Sequence, residues 1–362
     1  MIKSPFIHNE PVMPPIFAGR KDELSIINTA LFEDKDSLVL YGNDAIGKSS
    51  IVRTIHNELI RTNEHRILPV KINAFDFIQA VKDNFLSMVT HQICATIWTK
   101  LIKRTYSELI EDTLINVSGE ILNSPEEKSI KRIFRIVTSD NLTGKGKSIK
   151  EIGAKFLIEG NISYESEVTN IKHTLAPFEF LHLLDELNDI INVYNYSSIM
   201  VFCDELNHLP SEVNADILRN YFSIFSSKKI QFVIIAVNPE IIHANDARNL
   251  IESFNYSLEI GTFKDVSCVS ELVQNSISTL NTEFEFENGI YEYLFRKTNG
   301  HPWWIQKICD KAFKLNENEF KISLSSFEIS GDFYRKEIDI YNERIKAGLP
   351  FRKYNLIFNK EI

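Results

Sequence analysis

The sequence predicts an α/β fold, a parallel five-stranded sheet flanked by helices and followed by a mostly helical C-terminal region. Three observations predict it. Short apolar runs recur at 37–41, 67–73, 198–204, 230–237 and 256–260, each the length of a buried strand. Between them, apolar residues recur at helical spacing. A glycine-rich turn, Gly42-Asn43-Asp44-Ala45-Ile46-Gly47-Lys48-Ser49, joins the first of these strands to the first long helix.

Taken in order, residues 1–16 carry Pro5, Pro11, Pro14 and Pro15, so an extended arm is expected there rather than a helix. Phe17-Ala18-Gly19-Arg20 then turns into a helix with Leu24, Ile27 and Leu31 on one face. After the strand at 37–41 and the glycine turn, Ile51, Val52, Ile55 and Leu59 mark the next helix. The strand at 67–73 is followed by a long helical pattern through Phe85, Val89, Ile93, Ile97 and Leu101.

Residues 103–176 read as an insertion. Its first half is helical, through Leu109, Ile110 and Leu114, then Ile130, Ile133, Phe134 and Val137. Its second half contains Gly144, Gly146, Gly153 and Gly160 and little periodicity. From Lys128 to Lys155 there are eight Lys/Arg against two acids, a local +6 in a chain of net charge −9. That segment reads either as a solvated loop or as a contact for a phosphate backbone, DNA included. Phe178, Leu181, Leu184 and Leu187 then mark a helix leading into the strand at 198–204, and Ile217, Tyr221, Phe222 and Phe225 a helix leading into 230–237.

Bulk composition narrows the function classes. With 44% hydrophobic residues in 362, a sizeable core can be buried. The acidic net charge excludes a protein that binds polyanions over its whole surface. The four cysteines, Cys94, Cys203, Cys268 and Cys309, form no C-x-x-C pair and read as reduced thiols rather than disulfides or a zinc site. Apolar runs are far too short to span a membrane, and a cytoplasmic location is expected.

The glycine turn fits G-x-x-x-x-G-K-[ST], the phosphate-binding P-loop, and its strand-to-helix context is the one that motif needs. Gly42 and Gly47 let the backbone curl so that the amides of 43–50, Ser50 included, point at phosphate, helped by the helix N-terminus. Lys48 is placed to reach the β- and γ-phosphates and the Ser49 hydroxyl to bind Mg²⁺. Asp204 and Glu205 end an apolar strand expected to lie beside the P-loop strand. Asp204 is assigned to the metal and Glu205 to deprotonating the attacking water. Asn238, at the end of the next strand, is a candidate to position that water; the competing reading is a turn residue of an Asn-Pro pair.

The order Gly19-Arg20, P-loop, apolar strand ending Asp204-Glu205, strand ending Asn238, and Asp246-x-Arg248-x-x-x-x-Ser253-Phe254 resembles the AAA+ ATPases, in the branch shared by origin-recognition initiators and STAND signalling ATPases. Gly300-His301-Pro302 resembles the Gly-x-Pro element of STAND lids. The resemblance implies a P-loop NTPase core over 17–262 and a helical lid and tail over 263–362, behind the arm at 1–16. It implies that Phe17, Gly19 and Arg20 line the adenine pocket, that Pro302 touches nucleotide from the lid, and that Arg248 falls near the arginine finger. ATP and Mg²⁺ are the implied ligands, and self-association through the ATP site the implied assembly. About sixty residues follow Pro302, too few for a repeat array, so an effector or sensor is expected on another chain.

Overall fold

The computed structural model describes residues 4–73, 78–114, 124–138, 175–204, 211–235, 251–280, 284–316 and 321–347. Helix α1 (Lys21–Asn28) runs into a π turn and then strand β1 (Leu38–Tyr41). Helix α2 (Lys48–Thr62) and strand β2 (Ile67–Asn73) follow, then α3 (Ile78–Thr96), α4 (Tyr106–Leu114), α5 (Pro125–Val137) and α6 (Pro177–Val193). Strand β3 (Ser198–Asp204), helices α7 (Ser211–Asn220) and α8 (Phe222–Phe225), and strands β4 (Gln231–Ile235) and β5 (Tyr256–Glu259) complete the sheet region. Beyond it lie α9 (Val266–Ser278), β6 (Glu285–Phe286), α10 (Ile290–Thr298), α11 (Pro302–Leu315), β7 (Lys321–Ile322), α12 (Leu324–Phe333) and α13 (Arg335–Lys346).

The five main strands form one sheet in the order β2-β3-β4-β1-β5, and the registers of β1 with β5, β2 with β3 and β3 with β4 are all parallel. This corrects one expectation. The strand ending at Asp204 does not lie beside the P-loop strand, because β4 is inserted between them. Sequence order does not fix strand order in a parallel sheet, since each crossover helix can return on either side of its strand.

Helix starts follow from local chemistry. Proline occupies the first turn of α5, α6 and α11, where its missing N–H costs nothing. Ser124 caps α5 by accepting from the Glu127 N–H, and Asp265 caps α9 by accepting from Cys268. The buried face of α6 is Phe180, Leu183, Leu184, Leu187, Ile190 and Ile191, whereas Phe178 is exposed. The expected stripe is therefore out of phase at its first two residues, Phe178 being exposed and Leu181 only half-buried.

The chain divides into two compact units. Unit 2 comprises residues 35–37 and 59–234 and holds β2, β3, β4 and α3 to α8. Its helical insertion has a packed core in which Ile130, Ile133 and Phe134 are buried, as is Trp98 just before it. Unit 1 comprises 1–34, 38–58 and 235–362. It holds α1, the P-loop with its strand, most of α2, and everything from β5 onward. The N-terminal arm belongs to its core: Phe6, Ile16 and Ala18 cluster with Trp304, Ile308 and Phe313 of α11.

Candidate functional site: the P-loop and its supports

Strand β1 gives the P-loop a rigid base, with Leu38, Val39 and Leu40 completely buried. At its end the Tyr41 carbonyl accepts from the Ile260 N–H at 2.8 Å, which ties the loop's entry to the end of β5. Gly42 has φ +134°, and a Cβ there would fall 2.4 Å from the Ile260 carbonyl oxygen, so only glycine fits. Ala45 (φ +60°) and Gly47 (φ +106°) add two more left-handed positions within six residues. Alternation of this kind curls the backbone into a concave row of amides, a nest for an anion. Holding Ala45 in the left-handed region costs about 1 kcal/mol, strain of the sort retained at binding sites.

Lys48 opens α2 and is almost wholly buried. Its Nζ donates to the Gly42 carbonyl at 2.8 Å and the Asn43 carbonyl at 2.6 Å, so the ammonium arches over the loop it follows. The loop thus combines amide donors, a helix N-terminus and a fixed cation, the donor set a polyphosphate requires. Asp44 and Ile46 are buried within the turn, while Asn43, Ala45 and Ser49 are half-exposed. The Ser50 hydroxyl accepts from the Val12 N–H at 3.1 Å, so the N-terminal arm touches the first turn of α2.

Four other expected nucleotide residues lie in the same unit. Arg20 sits behind the loop: its Nη2 donates to the Ile46 carbonyl at 2.7 Å and the Gly261 carbonyl at 2.8 Å, and its Nη1 to Glu23 at 3.0 Å. Burial pushes the guanidinium pKa down while Glu23 pushes it back up, and an arginine so placed remains charged. The Gly19 N–H donates to Glu271, and a Cβ at Gly19 would meet the Phe263 ring at 2.8 Å. Phe17 is half-buried, its carbonyl accepting from Asn275. Pro302 opens α11, just after Asn299 and Gly300, both at positive φ, and after His301, whose buried ring packs edge-on against Tyr341. Trp304 and Ile308 are core residues.

Asp204 ends β3 in unit 2, is buried, and lies in register with Asn73 of β2. Burial and the neighbouring Asp204 charge raise the Cys203 thiol, as burial also raises Cys94 and Cys309, so these thiols stay protonated. Glu205, Asn238 and Arg248 lie outside the described residues. So does the basic segment beyond Thr138. In its described part, Arg132 pairs with Glu186 and the Lys131 ammonium lies 5.6 Å from the Trp98 ring centroid.

Sequence reasoning missed the second layer of the site. Phe263, Glu23, Glu271 and the Gly261 carbonyl all touch Gly19 or Arg20, yet none stands in a motif. The one signal available was Glu23, three residues after Arg20 on a helix, the spacing of an ion pair.

Among the described residues, no helix is long and apolar enough to cross a membrane, and no three His, Cys, Asp or Glu cluster to hold a metal. Solved structures of similar fold include the Aeropyrum pernix ORC2 protein (13% identity, 91% of this chain and 71% of that one, TM-score 0.47). Cdc6p from Pyrobaculum aerophilum shows 12% identity over 88% of this chain and 67% of that one, TM-score 0.46. A Thermotoga maritima RuvB mutant shows 11% identity over 88% and 70%, TM-score 0.41. Likenesses this distant say nothing about activity. No curated protein matches the chain. A sequence profile describing the KAP family P-loop domain matches residues 24–260, from α1 to the end of β5. This agrees with the AAA+-like P-loop resemblance read from the motifs, and with nucleotide as the ligand. The chain belongs to the KAP family of P-loop NTPases.

Proposed function

We propose that the protein is an ATP-driven switch whose nucleotide state controls its own assembly or the recruitment of a separate effector or sensor protein in the cytoplasm, in defence against mobile DNA or in its control. The observation that carries the nucleotide half of this reading is the P-loop itself: three left-handed residues and the Lys48 ammonium converging on one concave turn. The amides of 43–50 would take the β- and γ-phosphates, with Lys48 balancing their charge. Phe17 and Gly19 would border the base through apolar and main-chain contact, and Pro302 would approach from the lid formed by 263–362, against a core of 17–262.

Ser49 and Asp204 would hold Mg²⁺, which would neutralise charge developing on the phosphate oxygens. Asn238 orients the water and Glu205 takes its proton as the water oxygen bonds to the γ-phosphorus and the bond to the β-phosphate oxygen breaks, releasing ADP and phosphate. Arg248, offered to a neighbouring subunit's site, would stabilise that charge in trans. The Gly300-His301-Pro302 element is what favours the STAND branch. A loader or transposition-regulator role on DNA rests on the Lys128 to Lys155 segment, and two of its cations are engaged inside unit 2.

The decisive experiment is titration of the full chain with ATP and Mg²⁺ by calorimetry, wild type against Lys48→Ala. Wild type is expected to bind, and Lys48→Ala to bind at least ~100-fold more weakly, about 2.7 kcal/mol. Equal affinity in the two proteins would remove the P-loop assignment.

A further inference from the structure

Arg20 is only 3% exposed, and its guanidinium serves two backbone segments at once. One is the P-loop, at the Ile46 carbonyl; the other is the chain leaving β5, at the Gly261 carbonyl. Its Cζ lies over the Phe263 ring, 5.1 Å from the ring centroid. Phe263 in turn donates its N–H to the Gly300 carbonyl at 2.9 Å, and a Cβ on Gly300 would fall 2.6 Å from the Phe263 carbonyl oxygen. The two backbones therefore pass in direct contact, two residues before Pro302 opens α11. Every link in this chain of contacts lies within unit 1.

One feature of peptide geometry gives the chain a direction. The Ile46 carbonyl and the Gly47 N–H belong to a single planar peptide unit. A phosphate that draws the Gly47 N–H must turn the Ile46 carbonyl with it, and that carbonyl is the one Arg20 holds. Polarisation runs the same way, because a cation on the carbonyl strengthens the N–H as a donor.

We propose that Arg20 is a positioning residue that couples occupancy of the P-loop to the placement of α11, through Phe263 and Gly300. The inference rests on the nucleotide reading above and adds to it a route by which bound phosphate is felt at the Gly300-His301-Pro302 element. Lysine would keep the charge but lacks the second planar nitrogen by which Arg20 pairs with Glu23 while Nη2 holds both carbonyls.

Hydrogen exchange of the full chain, with and without ATP and Mg²⁺, tests it by following peptides covering 42–48 and 299–306. In wild type, ATP is expected to slow exchange in both. In Arg20→Gln and Arg20→Lys, at saturating ATP, the first should remain protected and the second should lose its ATP-dependent protection. ATP affinity should fall about tenfold. A residue that merely stabilises the fold would alter the two peptides together. Undiminished protection of 299–306 in Arg20→Gln overturns the proposal. Should that variant fail to fold, Phe263→Leu cuts the same route while leaving both carbonyl bonds, and the same selective loss is expected. Wild type protected at 42–48 but not at 299–306 removes the coupling alone. Wild type protected at neither removes the nucleotide reading and the coupling with it.

Discussion

At the scale of single residues, His91 of α3 shows what cover by the helical insertion does to a titratable group. Its ring is enclosed in unit 2, with Nε2 2.8 Å from the Tyr106 hydroxyl and the ring centroid 4.8 Å from that of Phe134. Burial lowers its pKa from 6.5 to about 4. The folded value lies below the unfolded one, so the contribution is complete above the unfolded pKa and is lost as pH falls from there towards the folded value. Across that window the unfolded chain takes up a proton that the folded chain refuses, and stability falls by about 1.4 kcal/mol per pH unit. Urea unfolding at about pH 7.5 and about pH 5 should show wild type losing about 2 kcal/mol more than His91→Phe. Identical losses would mean the ring is charged or solvated when folded. Nothing in the sequence marked this histidine, because periodicity shows which face a residue occupies but not whether another segment covers it. The P-loop was fully legible for the opposite reason: its geometry is fixed by the local backbone, and Gly42 and Gly47 sit where positive φ demands them.

Among the elements, the N-terminal arm departs most from its sequence reading. Four prolines imply extended chain, but composition does not say what that chain packs against. Phe6 packs edge-on with Phe313, the His8 carbonyl accepts from Trp303 Nε1 at 2.8 Å, and the His8 ring meets Asp310 at 3.4 Å. Further along, the Pro11 carbonyl accepts from Arg53 and the Val12 N–H donates to Ser50. One strap of a few residues thus joins α11 to the helix that begins with Lys48. Replacing Phe6 with alanine should cost about 3–5 kcal/mol in chemical denaturation, as for other buried aromatics. Phe178→Ala, on an exposed ring, should change stability by less than about 0.5 kcal/mol. If the two variants unfold alike, the arm does not contribute to the core of unit 1.

For the molecule as a whole, the sequence disclosed five parallel strands and their flanking helices but misjudged their order. Apolar runs identify strands through burial, whereas adjacency depends on which way each crossover turns, and no short motif records that. With β4 between the P-loop strand and the strand of Asp204, the tip of β4 becomes the central position of the sheet's upper edge. The chain reaches Asn238 three residues after β4 ends. The proposed assembly is best tested in Glu205→Gln, which should hold ATP while turning it over at least ~tenfold more slowly. Its particle mass should shift from monomer to a defined oligomer when ATP and Mg²⁺ are added. A monomer under both conditions would leave Arg248 without a neighbouring site to serve.

The strap also dictates an order of events at the ribosome. His8 and Asp310 are separated by 302 positions, Trp303 and His8 by 295, so the strap must wait for partners made about 300 residues after it. Unit 2, drawn almost wholly from the continuous stretch 59–234, can collapse while synthesis continues. Unit 1 is gathered from three separated stretches, and its contacts span almost the full chain, the topology that slows folding most. The P-loop emerges early, yet Arg20, Gly261 and Phe263 cannot brace it until residues beyond β5 have left the exit tunnel. Nucleotide competence therefore waits for the residues beyond β5, and a nascent chain stalled before them would display its glycine loop without the scaffold that shapes it.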